Sequence, residues 1–245
     1  MDQDNNGKVQ PAPSWLDRHA YWLLPMIGAS LISAALVVST SKARRHATPA
    51  AAAALAFADD PRLSDAERVA RWAVASGDAG HRPFVVIDKV NARVSAFEAS
   101  GQLRERSPAL LGLARGDDSV PGIGQRKMAD IKPAERITPA GRFVAERGTN
   151  LSGEDIVWID YDAAVSMHRV RPTVASERRL QRLASPSAGD NRISYGCVNL
   201  PPAFYEKVIS PMVSSGKVVV YVLPEVHPLS NVFALDQKGS VHAAL

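Results

Sequence analysis

Cysteine is nearly absent: the 245 residues contain one, Cys197. A lone thiol excludes a disulfide scaffold and a cysteine-built zinc cluster. Histidine is also sparse, with six, and no two stand four apart as paired helical metal ligands do; neither metal nor cofactor is expected. Dense Lys/Arg runs are missing. The net charge is only +4, which argues against a nucleic-acid-binding arm and favours anionic partners weakly, through steering. Gly122-Ile123-Gly124 has no Lys-Ser/Thr following in register, so it is not a phosphate loop. No internal repeat is visible. What is present is ordinary globular material, 46% hydrophobic and 22% charged, which excludes wholesale disorder and fibrous architectures.

Charge is missing in one place above all. From Ala20 to Ser41 no residue is charged, and about 20 apolar residues at 1.5 Å rise match a ~30 Å hydrocarbon core. Tyr21 and Trp22 suit an interfacial aromatic belt, and Pro25 falls in the first turns, where a missing N–H costs little. The segment reads as a membrane anchor in preference to a long signal sequence, after a cytoplasmic stretch at 1–19. Lys42, Arg44 and Arg45 behind it would by charge alone hold the remainder inside; long domains translocate despite such flanks, and the chemistry below argues for the outside.

An Ala-rich linker at 42–63 leads to an entrance helix within 64–81. Ser64-x-x-Glu67 is a capping-box pattern opening a helix over about 65–76, with Gly77 to end it and Val69, Ala73 and Ser76 on one face. Strands follow. Phe84–Asp88, Arg93–Phe97 and Leu103–Leu110 are short apolar or alternating runs separated by turn residues, which predicts an antiparallel meander. A long loop spans 113–137. Strands resume at Arg142–Glu146, Ile156–Tyr161 and Val165–Val170, a charged helix spans about 175–183, a helix opens near Pro201, and Lys217–Leu223 is the clearest strand. Residues 225–245 form a tail without a readable pattern. The fold class is mainly β with short helices.

Cys197 lies in Arg192-Ile193-Ser194-Tyr195-Gly196-Cys197-Val198-Asn199-Leu200-Pro201. A thiolate is the reactive form of cysteine, and a helix N-terminus or a nearby His⁺ favours it. A helix is expected three or four residues on. Gly196 permits close backbone approach, and neighbouring N–H groups could meet an oxyanion. On these grounds alone a catalytic thiol and a small buried hydrophobe both remain open.

Ser194-Tyr195-Gly196-Cys197-Val198-Asn199-Leu200 resembles the signature of the L,D-transpeptidase (YkuD-like) catalytic domain, commonly Ser-His-Gly-Cys, an apolar residue, then Arg or Asn. Thr138-Pro139-Ala140-Gly141-Arg142-Phe143 resembles that family's Thr-Pro-x-Gly-x-Phe element, and His168 falls where the family has a strand ending in its catalytic histidine. The likeness spans about 82–224. It implies a β-sandwich or barrel and thioester chemistry on peptidoglycan stem peptides. Cys197 would be the nucleophile, His168 the general base, and the Arg169 carbonyl the group orienting the imidazole. Tyr195, Gly196 and Cys197 would offer backbone N–H groups to the oxyanion. Ser194 and Asn199 would brace the loop or touch substrate, and Arg192 would bind a stem carboxylate or sit in solvent. The place implied is the cell envelope, with an inner-membrane anchor and a periplasmic domain. Tyr195 departs from the usual histidine, and the stretch between His168 and Ser194 is longer than the family's, which predicts an added lid or docking element over the site. A thiol hydrolase of the same fold and an idle peptidoglycan-binding anchor are the alternatives.

Overall fold

The computed structural model describes residues 63–233 and Leu235. The membrane segment expected at 20–41 and nearly all of the 42–63 linker lie outside the described residues. Among those described, no helix is long and apolar enough to cross a membrane.

The chain enters through helix α1 (Asp65–Ser76), which starts as its sequence dictates. The Ser64 hydroxyl accepts from the Glu67 amide, the Glu67 carboxylate accepts from the Ser64 amide, and Gly77 ends the helix at φ 74°. Replacing such a cap by alanine typically costs about 1 kcal/mol. The buried face is Ala66, Val69, Ala70 and Ala73; Ser76, expected on that face, is exposed and returns its hydroxyl to the Trp72 carbonyl.

Among the described residues ten strands follow: β1 (Phe84–Asp88), β2 (Arg93–Phe97), β3 (Leu103–Pro108), β4 (Leu111–Gly112), β5 (Gly141–Thr149), β6 (Asp155–Asp160), β7 (Val165–Arg169), β8 (Arg192–Ser194), β9 (Val198–Leu200) and β10 (Val218–Val222). Eight form one mixed sheet in the order β3-β2-β1-β10-β5-β6-β7-β9, and β4 pairs with β8. The first three strands are the expected meander. The sheet nearly closes, because Leu110, just past β3, exchanges two 2.9 Å backbone hydrogen bonds with Asn199 of β9. The result is the expected mainly-β fold with short helices.

β10 sits mid-sheet, parallel to β1 and antiparallel to β5. All five of its residues are buried, which is why it reads as an unbroken apolar run rather than an alternating one. Alternation still sorts its side chains. Val219 and Tyr221 pack with Phe84, Val86 and α1, while Val218, Val220 and Val222 join Val85, Ile87 and a helix at 202–214 on the other face. That helix, α3, contains a π-helical turn, Tyr205–Ile209. Pro211 has no amide to offer the carbonyl of Lys207 four residues back, and Arg104 donates to that carbonyl instead.

The expected loop at 113–137 carries three single 3₁₀ turns. The charged segment after β7 forms a 3₁₀ turn at Ala175–Glu177 and a short helix α2, Arg179–Ala184. The tail is not idle: Phe233 and Leu235 are core residues packed with α1, and Glu225 is fully buried.

Candidate active site

The register of two short strands assembles the site. Along β7, Val165 and Met167 enter the core, so Ser166 and His168 point to the opposite face. β7 runs parallel to β9, with Met167 opposite Val198 and His168 opposite Asn199. Stepping back one pair puts Ser166 beside Cys197, and the Ser166 hydroxyl lies 3.6 Å from the sulfur. Two cross-strand pairs therefore gather Ser166, His168, Cys197 and Asn199 on one face. β7 lies beside the strand that leaves Cys197, while the strand that ends in Ser194 pairs with β4.

His168 Nδ1 is 2.7 Å from the Arg169 carbonyl oxygen. A carbonyl only accepts, so Nδ1 carries the hydrogen and the neutral ring presents a lone pair at Nε2. The Arg169 side chain turns to the other face, where it pairs with Asp155 and Glu206 and stacks on Tyr205; its contact with the imidazole is through backbone alone. Cys197 is half-buried. Burial works to raise its thiol pKa, but the hydrogen bond and charge of His168, together with bonds from Ser166, outweigh burial and carry it below the ordinary thiol value. No helix terminus contributes at the sulfur. The expected helix begins at Pro202, and β9 intervenes.

Asn199 ties this group to α2. Arg179 donates to its Oδ1 at 2.6 Å. Since guanidinium only donates, the amide orientation is fixed, and Nδ2 faces the Cys197 carbonyl at 3.3 Å and His168 Nε2 at 3.5 Å. The segment expected as an added lid or docking element thus reaches the site through Arg179.

The loop bearing the thiol is braced from inside. Ser194 is buried; its hydroxyl donates to the Cys197 carbonyl at 2.6 Å and accepts from the Gly196 amide at 3.1 Å. That amide is therefore engaged, contrary to its expected role toward an oxyanion. Gly196 has φ 131°, and a Cβ there would lie 2.7 Å from the Ile137 carbonyl oxygen, so only glycine fits. Thr138 donates to the Gly196 carbonyl at 2.8 Å and accepts from the Gly112 amide at 2.9 Å. In a trans peptide C=O and N–H point opposite ways; with the Gly196 carbonyl held by Thr138, the Cys197 amide is aimed away from it. The Tyr195 ring lies under the guanidinium of Arg136, 3.9 Å from its centroid.

Arg192 is neither solvated nor placed to meet a substrate. It is buried, donating to the Lys89 carbonyl at 2.8 Å and to Glu225 at 2.5 Å. The wider network is a buried quartet. The Lys89 ammonium meets Asp117 at 2.8 Å, the Thr138 carbonyl at 2.9 Å and Glu225 at 3.8 Å, and Asp117 accepts from the amides of Glu225, Val226 and His227. Among the described residues, no cluster of three or more His, Cys, Asp or Glu is arranged to hold a metal ion.

Sequence reasoning missed Ser166, Arg179 and the quartet. Ser166 carried a signal: it stands two residues before His168 on a strand, hence on the same face. The others carried none, because their partners lie 20 to 110 residues away in the chain.

Solved structures similar to this one include L,D-transpeptidases. The catalytic domain of the Enterococcus faecium L,D-transpeptidase is 17% identical, with 58% of this chain and 98% of that one covered and a TM-score of 0.32. The Mycobacterium smegmatis L,D-transpeptidase is 19% identical, with 58% of each chain covered and a TM-score of 0.32. The helical cell shape determining protein Pgp2 of Campylobacter jejuni is 19% identical over 60% of this chain, with a TM-score of 0.38; the match spans about half, 49%, of that protein. No protein-family model and no curated protein matches the chain.

Proposed function

We propose that this domain is a cysteine acyltransferase of the L,D-transpeptidase (YkuD-like) kind, acting on peptidoglycan stem peptides. The observation that carries the reading is the β7–β9 register, which sets Cys197, within its Ser-Tyr-Gly-Cys-Val-Asn motif, on one face with Ser166 and His168, the Ser166 hydroxyl 3.6 Å from the sulfur and His168 Nδ1 held by the Arg169 carbonyl. A nucleophile joined to a base, with the base oriented by a third group, is the arrangement that activates a thiol for acyl transfer. It also speaks against an idle binding anchor, for which nothing would keep the imidazole in one tautomer on the face that carries the thiol.

The steps follow from the groups present. His168 Nε2 takes the Cys197 proton while Nδ1–H stays on the Arg169 carbonyl. The thiolate adds to the carbonyl of the third, diamino-acid residue of a tetrapeptide stem, and the Cys197 amide is the donor assigned to the resulting oxyanion. Collapse breaks the amide C–N bond. The imidazolium returns its proton to the departing D-Ala amine, leaving a thioester. An acceptor amine then adds to the thioester, gives its proton to His168, and releases the thiolate as the new amide forms.

Incubating the purified domain with tetrapeptide-stem peptidoglycan and analysing the muropeptides tests this. New cross-links made at residue three, with loss of D-Ala, are the expected products. Tripeptide stems without cross-links would mean that water is the acceptor, and no change would end the reading. The proposed place of action is the cell envelope, with residues 20–41 as anchor. A reporter fused after Leu245 is expected to work outside the cytoplasmic membrane, and one active only inside would overturn that placement.

A further inference from the structure

Stem peptides carry carboxylates, and the cation expected to meet one, Arg192, is buried against Glu225. The other arginines around the thiol are also engaged: Arg169 with Asp155 and Glu206, and Arg179 with Glu177 and Asn199. Arg136 differs. Its Nε and one terminal nitrogen donate to the Ile131 carbonyl at 3.3 and 3.2 Å. A guanidinium has five N–H groups, so three remain, and among the described residues Arg136 has no ion pair. The neighbouring carboxylate, Glu135, is held instead by Arg126 at 3.0 Å through both of its oxygens.

The position of Arg136 is set by the same strip of chain that forms one wall of the thiol loop. The Arg136 guanidinium carbon sits over the Tyr195 ring, 3.9 Å from its centroid. Ile137 presents its carbonyl to Gly196, and Thr138 holds the Gly196 carbonyl. The Arg136 carbonyl in turn accepts from the Ala114 amide at 3.0 Å. Three successive residues, 136 to 138, thus run beside Tyr195 and Gly196, the two residues before the thiol. Stacking on an aromatic face restrains the guanidinium plane and leaves its edge free to donate, and a half-buried position strengthens a charge-assisted bond relative to open water.

From this we infer that Arg136, seated on Tyr195, is the specificity-determining residue that binds a substrate carboxylate beside Cys197. The inference rests on the reading under Proposed function. Tyr195, which stands where the resembling family usually has histidine, gains a reason: it is the platform for this arginine. Two carboxylates of a stem have the right chemistry, the side-chain carboxylate of the diamino acid at residue three and the terminal carboxylate of the departing D-Ala.

The test follows thioester formation on Cys197 by mass spectrometry with three synthetic stems: one with both carboxylates free, one amidated at the residue-three side chain, and one amidated at the C-terminus. Wild-type protein is expected to acylate one amidated stem about 10- to 100-fold more slowly than the free stem, the usual scale for a charged hydrogen bond. The arm that slows identifies the carboxylate. The R136Q variant is expected to lose that preference, through a rise in KM for the free stem with little change for the amidated one. A residue that only supported the loop would slow all three stems alike. R136K keeps the charge without the planar fork and retains part of the preference; it also serves if R136Q fails to fold. Wild-type protein indifferent to both amidations, or a preference unchanged in R136Q or R136K, would overturn the inference and leave the proposed function standing. Wild-type protein that acylates with no stem would instead overturn the proposed function, and this inference with it.

Discussion

The hydroxyl of Thr138 donates to the carbonyl of Gly196 at 2.8 Å, and through that one bond a residue 59 positions earlier in the chain sets the direction of the Cys197 amide. Thr138→Val removes both the donor to Gly196 and the acceptor for Gly112. Leaving a buried polar group unpaired costs about 1–3 kcal/mol, so thermal stability should fall. Acylation should fall about 10-fold or more, measured by single-turnover thioester formation. Thr138→Ser keeps the hydroxyl and is expected to restore most of the rate, which a purely steric role for the threonine methyl would not allow.

Cys197→Ala is expected to abolish thioester formation with stem peptides and acylating β-lactams while leaving the circular dichroism spectrum and the melting temperature near wild type. His168→Ala should slow acylation by about 10²-fold or more, the scale for losing a general base. Wild-type rates in either variant would remove the dyad.

The depressed thiol pKa gives a pH dependence with a definite sign. Because His168 and Ser166 favour the thiolate more than burial opposes it, the rate of Cys197 alkylation by iodoacetamide should reach half its maximum below the pH found for an ordinary cysteine, about 8.5. His168→Ala leaves burial with less opposition, so the midpoint should move up. A downward shift in that variant contradicts the assignment.

The buried quartet makes a prediction about stability. Burial works against the Asp117 charge, yet the Lys89 ammonium and the amides of residues 225–227 hold its pKa down at about 2, against about 3.9 in an unfolded chain. The unfolded state therefore binds the proton more readily, and Asp117's contribution, present above about pH 4, is lost as pH falls toward about 2. Glu225→Ala breaks the same network by leaving Arg192 and Lys89 short of a carboxylate, and should cost about 3–5 kcal/mol in urea denaturation at neutral pH. A loss under about 1 kcal/mol would mean that solvent or backbone replaces Glu225.

Much of this was legible in the residues. Capping at Ser64 and Glu67, the apolar run of β10 and the meander of β1 to β3 depend on neighbours within one element, and local chemistry dictates them. The motif marked Cys197, and the strand carrying His168 was legible at Val165–Val170. What could not be read was partnership. Nothing local tells that β7 takes β9 rather than β8 as neighbour, since both are three residues long and flank the same glycine turn. Arg192 and Arg136 look alike as letters; one is enclosed by Glu225 and the other lies on Tyr195, and only long-range contacts distinguish them.

The position of β10 also bears on how the two halves of the sheet are joined. It follows every other described strand in the chain, yet it is the seam that joins β1 on one side to β5 on the other. On either side of it lie two ribbons, β3-β2-β1 and β5-β6-β7-β9, which also meet at their far edges through the Leu110–Asn199 bridge. Glu225, which neutralises Lys89 from the first ribbon and Arg192 from the strand preceding the thiol, comes three residues later still. The loop that carries the cysteine is therefore fastened by residues that follow it in the chain, so cleavage between β9 and β10 would part the thiol from its own support.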